Sequence, residues 1–297
     1  MLMMIPYSLI DSYSSLRKVI SDRAMEDLDA LMLSVLSESP RVQREALKDI
    51  FPELADQYVG ATSMVAAEFF DELMSLQDVA KPVRADTLLL EDPNRWRSLV
   101  DWSADDYVFE RLGADAVYSR LAGGLTKTLT EAAADTMIGN AEQQLDDFYS
   151  AQRVPQPGCC AFCSMIASRG AVYTERSATG VVGRGKPIGS HRLAKGIRPR
   201  GSRKMGEQFH DYCRCEVVIL TQDNQAELAA IEEQHLAAYA NAAQNADEGR
   251  SLAWRETKLK DGTTKRKHYW VKGGKQHTAA NKTSDILAAM RSELGIK

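Results

Sequence analysis

The sequence feature that most constrains this chain is the placement of its cysteines. All five lie in one window of the 297-residue sequence, and the first group contains a C-x-x-C pair. The second group is an H-x-x-C-x-C motif. Two short groups of thiol and imidazole ligands, separated by a long loop, are typical of a segment that a metal ion holds together.

A closed tetrahedron of cysteine and histidine ligands is the coordination that Zn²⁺ favours, so we expect a structural zinc site. Cys159 lies outside the ligand spacing and is not expected to bind. Free cysteines packed as small apolar side chains are one alternative, and oxidation to disulfides is another. An odd number of clustered cysteines fits a reduced metal site better than a secreted disulfide framework. The five candidate ligands for four positions are Cys160, Cys163, His210, Cys213 and Cys215.

A catalytic use of the same window would need a nucleophile beside a base. Neither candidate serine lies in a strand-to-helix elbow motif, and serine and histidine are common enough to coincide by chance. Ordinary polar loop residues are the interpretation that we favour, so we predict no catalytic residue. The candidate nucleophiles are Ser164, Ser168 and the thiol of Cys159, and the candidate bases are His191 and His210.

Hydrophobic periodicity predicts a helical first half. Apolar residues at Leu28, Leu31, Met32 and Val35 follow the i, i+3, i+4, i+7 spacing of one helix face. This helix is predicted to run from Ser14 to Ser37 and to end before Pro40. The other predicted helices are 41–51, ended by Pro52, then 55–76, 96–102, 103–121 with Ser103 as N-cap, and 125–150 after a break at Gly123–Gly124.

The second half mixes short helices and strands. The run from Cys215 to Leu220 is β-branched and predicts a strand. Asp261–Gly262 lies between two runs of strand character, which indicates a β-hairpin from Trp254 to Val271. The remaining predictions are a helical turn at 164–168, a strand at 171–173, a helix at 226–245, a linker at 273–282 and a last helix at 284–294.

These elements predict a mainly α protein in three parts. Residues 1–150 form a helical region, and residues 151–222 form a small α+β domain that carries the cysteine cluster. Residues 223–297 contain a helix, a basic hairpin and a C-terminal helix. No stretch has the length and apolar character of a signal peptide or a membrane span, so we expect a protein kept in a cytoplasm-like compartment, with no membrane partner.

Charge is strongly segregated along the chain. Residues 1–150 carry 13 Lys and Arg against 27 Asp and Glu, whereas residues 176–206 carry nine Lys and Arg and no acid. The basic segments predict a polyanionic partner, with cations on phosphates and aromatic residues on bases. A solvated loop, or docking on an acidic protein lattice, would also explain the charge. The candidate nucleic-acid residues are Arg184, Lys186, Arg192, Lys195, Arg198, Arg200, Arg203, Lys204, Lys265, Arg266 and Lys267.

Two segments of the cysteine window resemble a known family. The run from Cys160 to Tyr173, together with Phe209 to Cys215 and the strand that follows, resembles the MuF-like minor head proteins of tailed phages, especially those of actinobacterial phages and prophages. In that family the second motif reads H-P-x-C-R-C, and here Asp211 replaces the proline. Parts of the helical region and residues 286–294 are also similar, whereas the basic hairpin at 250–282 looks like an insertion.

The resemblance implies a minor capsid protein that acts in head morphogenesis at the portal vertex. Its implied partners are the portal protein, the major capsid protein and double-stranded DNA. Its implied location is the interior of the virion, after assembly in the host cytoplasm. Relatives of this kind are often labelled capsid maturation proteases, which is the alternative function.

Overall fold

The structure is a computed structural model that forms two compact units. One unit contains residues 1–156 and 170–228, and the other contains residues 157–169 and 229–297. None of the helices in the described part of the chain is long and apolar enough to cross a membrane. The structure describes residues 7–76, 84–87, 92, 94–145, 150–156, 159–168, 173–174, 212–213, 215–221, 224–247, 250–258, 264–272, 274–277 and 279–295.

The first unit is built on long helices, as the sequence predicted. They enclose a core to which each of them contributes fully buried side chains, including Leu28, Leu47, Val100 and Leu121. The helices are α1 (Tyr7–Val35), α2 (Pro40–Ser75), α3 (Arg95–Ser103) and α4 (Ala114–Gln144), with a π-helical turn at Val108–Leu112 between the last two.

Proline 52 does not end a helix, and the predicted boundary there is wrong. Helix α2 runs through Pro52 without interruption. A proline inside a helix removes one backbone hydrogen bond and costs roughly 3 kcal/mol. Leu47, Phe51 and Ala55 flank this position and are completely buried in the core. Burial of that face on both sides of the proline outweighs the local cost.

The predicted N-cap at Ser103 is also wrong. Ser103 is the last residue of α3 and is buried. The next turn is capped by Asp105, whose Oδ1 accepts a hydrogen bond of 2.8 Å from the backbone N–H of Val108. Helix α4 begins only after Gly113, whose φ of 82° is readily available to glycine. The capping carboxylate is therefore two residues later than the sequence pattern suggested.

Gly123 and Gly124 lie inside α4 and do not break it. Gly124 instead lies where α3 and α4 approach each other closely, since a Cβ built there would lie 2.6 Å from a methyl carbon of Leu99 on α3. Glycine at this position allows α3 to pack directly on the α4 backbone. The sequence signal was correct about a special glycine and wrong about its role.

We expect Gly124→Ala to gain less stability than its helix propensity predicts, because the added methyl group forces the Leu99 side chain to move. Overpacking of this kind costs about 1–3 kcal/mol, which offsets a propensity gain of about 1 kcal/mol. Gly60 in α2 is the matched control, because a Cβ there meets nothing within 4 Å. Gly60→Ala should therefore stabilise by about 0.5–1 kcal/mol. Urea unfolding of both variants measures the contrast, and equal effects would contradict it.

A three-stranded antiparallel sheet completes the first unit. Its order is β2-β1-β3, with β1 at Ser150–Pro155, β2 at Tyr173–Thr174 and β3 at Cys215–Ile219. Strand β3 is confirmed and buried along its whole length. The central strand β1 was missed, because Gln152 and Arg153 gave it a polar appearance. Both residues are in fact buried, and Gln152 donates a 2.7 Å hydrogen bond to the carbonyl of Leu228.

The second unit combines three helices and another antiparallel sheet. The helices are α5 (Ala161–Ala167), α6 (Gln225–Asp247) and α7 (Ala279–Glu293). Helix α6 belongs to this unit from residue 229 onward. Their core is formed by buried residues from all three, among them Ile166, Ala242 and Met290. Helices α5 and α6 were predicted. Helix α7 was also predicted, but it begins five residues earlier than 284 and is followed by Gly295 with a φ of 63°.

The sheet of the second unit confirms the strands of the predicted hairpin. Strands β4 (Arg250–Lys258) and β5 (Thr264–Lys272) pair antiparallel from Arg250↔Lys272 to Lys258↔Thr264. The predicted turn at Asp261–Gly262 lies outside the described residues. A third strand, β6 (Lys275–His277), pairs with β5 within the segment predicted to be a linker.

Candidate functional site

The C-x-x-C pair lies at the start of α5. Cys160 is the N-cap of this helix, and its Sγ accepts a hydrogen bond of 3.4 Å from the backbone N–H of Cys163. The two Sγ atoms are 3.6 Å apart. Two thiolates bound to one tetrahedral Zn²⁺ at about 2.3 Å would be about 3.8 Å apart. The spacing of this pair therefore fits shared metal ligation.

Cys213 and Cys215 lie at the start of β3 and are both buried. Thr130 on α4 donates a 2.8 Å hydrogen bond to the carbonyl of Cys213. The residue before it, Tyr212, has a φ of 59°, which is uncommon for a non-glycine residue. The hydroxyl of Tyr212 donates a 2.5 Å hydrogen bond to the carbonyl of Ser119, also on α4. Helix α4 thus forms hydrogen bonds with two consecutive residues, Tyr212 and Cys213, just before β3.

Three buried cysteines, Cys163, Cys213 and Cys215, lie close together and could bind a metal ion. Thiolates are the ligands that zinc and other soft metal ions prefer, so the donor chemistry fits the predicted site. Cys160 is partly exposed and lies beside Cys163, whereas Cys159 is buried. His210 lies outside the described residues, as do the candidate base His191 and the eight candidate nucleic-acid residues from Arg184 to Lys204.

A buried ion pair lies directly beside these cysteines in the first unit. The guanidinium of Arg17 on α1 binds the carboxylate of Glu216 on β3, and the side chains are only 9% and 3% exposed. Nη2 of Arg17 also donates a 3.4 Å hydrogen bond to the carbonyl of Leu129 on α4. Burial raises the pKa of the Glu216 carboxyl, and the guanidinium of Arg17 partly offsets this rise. Sequence periodicity could not reveal the pair, because its members are 199 residues apart.

A serine and a histidine meet in the second unit. Ser164 Oγ on α5 and His235 Nδ1 on α6 are 2.8 Å apart and form a hydrogen bond. Ser164 was a candidate nucleophile, whereas His235 was missed because it lies in an ordinary amphipathic helix. Burial lowers the pKa of the His235 imidazole, which favours its neutral form. Ser164 is itself completely buried, so a substrate has no direct path to its hydroxyl. The other candidate serine, Ser168, donates to the carbonyl of Met165.

The lowered pKa of His235 gives a pH-dependent stability with a defined sign. The unfolded chain binds a proton at its ordinary pKa near 6.5, whereas the folded chain resists protonation. Stability should therefore fall as the pH drops below about 6.5 and should be unaffected above it. His235→Gln removes the titrating group, at a cost of about 1 kcal/mol from the lost hydrogen bond at pH 7.5.

The measurement is urea unfolding of the wild type and of His235→Gln between pH 7.5 and 5. The difference in unfolding free energy between the two proteins should shrink as the pH falls. A constant difference over this range would contradict a neutral, buried His235.

Comparison with known proteins gives one family. A family model described as VG15 protein matches residues 4–243. The matched region covers α1 to α5, the cysteine window and most of α6, and it ends before the sheet β4–β5–β6. No curated protein and no solved structure shows a significant match to the chain.

Proposed function

The chain belongs to the VG15 protein family, a family of phage proteins, and on this basis we propose that it is a minor capsid protein of a tailed phage or prophage that acts in head morphogenesis at the portal vertex. The family match over most of the chain supports a phage protein, and the motifs of the cysteine window are the observation that carries the minor capsid role. The MuF-like motifs around both cysteine groups support it, because they resemble minor head proteins in particular. The protein would function inside the virion after assembly in the host cytoplasm.

The exposed side of α2 supports docking on other head proteins. From Asp49 to its end, this helix carries six acidic residues and no Lys or Arg. Ile50 and Met64 are large apolar residues on the same helix that are 48% and 54% exposed. Exposed apolar side chains among charges of one sign suit a protein partner with a basic rim. The portal protein and the major capsid protein are the proposed partners, and the basic segments 176–206 and 264–272 would contact double-stranded DNA.

The test is the composition of purified particles. A tagged copy of the chain should copurify with mature heads in a low, fixed ratio to the portal protein, and cross-links should connect α2 to portal or shell. Deletion of its gene should reduce the yield of filled heads. If the chain is absent from particles and its deletion leaves head yield unchanged, the minor capsid role is wrong.

The alternative function is a capsid maturation protease, and the contact between Ser164 and His235 is the observation that favours it. Complete burial of Ser164 argues against a nucleophile, and we assign the pair to the packing of α5 on α6. Ser164→Ala in the phage genome separates the two functions. Unchanged processing of head proteins is expected for the capsid role, whereas unprocessed precursors would establish the protease.

We also propose that the cysteine cluster binds a structural Zn²⁺. Its ligands would be four of Cys160, Cys163, His210, Cys213 and Cys215, and the ion would tie the two ends of the intervening loop. Bound zinc would supply folding free energy and no chemistry, because a closed four-ligand site has no open position for a substrate.

Elemental analysis of the purified protein should find about one zinc per chain, as expected for a mononuclear site. Cys163→Ser and Cys213→Ser should each lose the metal and lower the melting temperature. Cys159→Ser is the matched control, since Cys159 lies outside the ligand spacing, and it should keep the metal. A metal-free wild type purified without chelator would rule out the site.

A further inference from the structure

The sheet β4–β5–β6 has a pairing register that sorts its basic and aromatic residues onto two faces. Residues directly opposite each other in neighbouring antiparallel strands lie on the same face, and the face alternates along each strand. The nine pairs between β4 and β5 follow one register without a bulge. The backbone alone therefore assigns each strand residue to a face.

One face, which we call the tryptophan face, holds both tryptophans of the sheet. Trp254 pairs with His268, and Trp270 pairs with Leu252 in β4 and with His277 in β6. The two tryptophans are thus diagonal neighbours, with backbones about 7–8 Å apart. Five basic residues share this face, namely Arg250, Lys258, Arg266, Lys272 and Lys275. The opposite face holds Arg255, Lys265 and Lys267 with Tyr269.

Two side chains of the paired strands, one on each face, have a described exposure. Glu256 pairs with Arg266 on the tryptophan face and is exposed, whereas Val271 on the opposite face is half-buried. The tryptophan face therefore combines an exposed side chain at Glu256, an excess of cations and two tryptophans on adjacent strands. Cations neutralise phosphates, and aromatic residues stack on bases that are not paired.

We propose that the tryptophan face of this sheet binds single-stranded nucleic acid. Arg266, Lys272 and their neighbours would neutralise the backbone, and Trp254 and Trp270 would each take one unpaired base. This inference rests on the nucleic-acid contact of the proposed function, but for residues 264–272 it replaces double-stranded DNA by a single strand. It also replaces the consecutive run from Lys265 to Lys267 by alternate residues of β5. The sheet lies beyond residue 243, so the family match does not supply this site.

Charge-matched variants of the full chain test the assignment. Arg266→Ser with Lys272→Ser removes two cations from the tryptophan face, and Lys265→Ser with Lys267→Ser removes two from the opposite face of the same strand. The probes are a labelled 15-nucleotide oligothymidine and a 15-base-pair duplex, and the readout is anisotropy at several salt concentrations. Circular dichroism checks that both variants keep the wild-type fold.

The tryptophan-face variant should weaken oligothymidine binding by about 10-fold and lower the salt slope by about 1.4, which is about 0.7 for each lost phosphate contact on a single strand. The opposite-face variant should change binding less than 3-fold. Trp254→Leu should weaken binding to the single strand and leave the salt slope unchanged, because stacking releases no counterions. Trp102→Leu in the first unit is the matched aromatic control and should have no effect.

Equal losses in the two charge variants would overturn the assignment to one face, because diffuse attraction to a basic tail depends only on net charge. Duplex bound as tightly as oligothymidine would overturn the stacking. Failure of the wild type to bind either probe at low salt would also overturn this inference. None of these results affects the proposed capsid role, which particle composition tests separately.

Discussion

Arg17→Met should be among the most destabilising single substitutions in the first unit, with an expected loss of about 3–5 kcal/mol. The substitution leaves the carboxylate of Glu216 buried without its cation, in a strand that is inaccessible to water along its length.

Lys18→Met is the matched control, because Lys18 is the next residue of the same helix and its partner Asp22 is exposed. An exposed pair contributes about 0–1 kcal/mol, so this variant should remain close to the wild type. Pairing Arg17→Met with Glu216→Leu should recover part of the loss, since replacing both charges by apolar groups removes the uncompensated carboxylate. Urea unfolding of the wild type, Arg17→Met, Glu216→Leu and the double variant completes a double-mutant cycle. A loss below about 1 kcal/mol for Arg17→Met would contradict the burial of the pair.

Phe51→Ala should cost about 3–5 kcal/mol, because it empties a fully buried position at the meeting point of α2 and α3. The ring of Phe51 packs edge-on against Trp96, with centroids 5.7 Å apart and an interplanar angle of 89°. Trp96 is also held by Asp56, which accepts a 2.5 Å hydrogen bond from its indole N–H. Loss of the phenyl ring therefore removes an aromatic pair as well as buried apolar area.

Ile50→Ala is the control for this prediction, because Ile50 is adjacent in the chain and 48% exposed. Its effect should stay within about 0.5 kcal/mol, as for surface substitutions in general. Thermal unfolding and near-UV circular dichroism, to which Trp96 contributes, provide two independent readouts. Similar losses for the two variants would mean that α2 does not bury the face that contains Phe51.

Helical periodicity predicted most of the fold because it reports local burial. Helix α1 was recognised from its apolar spacing and strand β3 from its β-branched run, and helices α3 and α6 were also predicted. The errors share one cause, which is that tertiary contacts override local signals. Pro52 is tolerated because the residues around it are core, and Gly124 is needed for contact with Leu99. Strand β1 is polar in sequence, and it is a strand because β2 and β3 pair with it on both sides.

The candidate site was predictable only in its ligand types. Spacing identified the cysteine groups, since metal knuckles have short local signatures. The contact between Ser164 and His235 and the ion pair between Arg17 and Glu216 each join residues more than 70 positions apart. No local pattern encodes such pairs. The register of β5 likewise decides which of its basic residues share a face, and composition cannot provide that information.

The pairing of β1 with β3 has a topological consequence for the cysteine window. Pro155 lies opposite Cys215, so the last residue of β1 and the first residue of β3 lie side by side at one edge of the cysteine window. The ladder between β1 and β3 therefore offsets part of the entropy cost of closing the intervening loop. A peptide bond cut in the segment 176–206 would leave two polypeptides joined through neighbouring strands. Denaturing gels would separate them, while native mass spectrometry would still find one particle of unchanged mass apart from one added water.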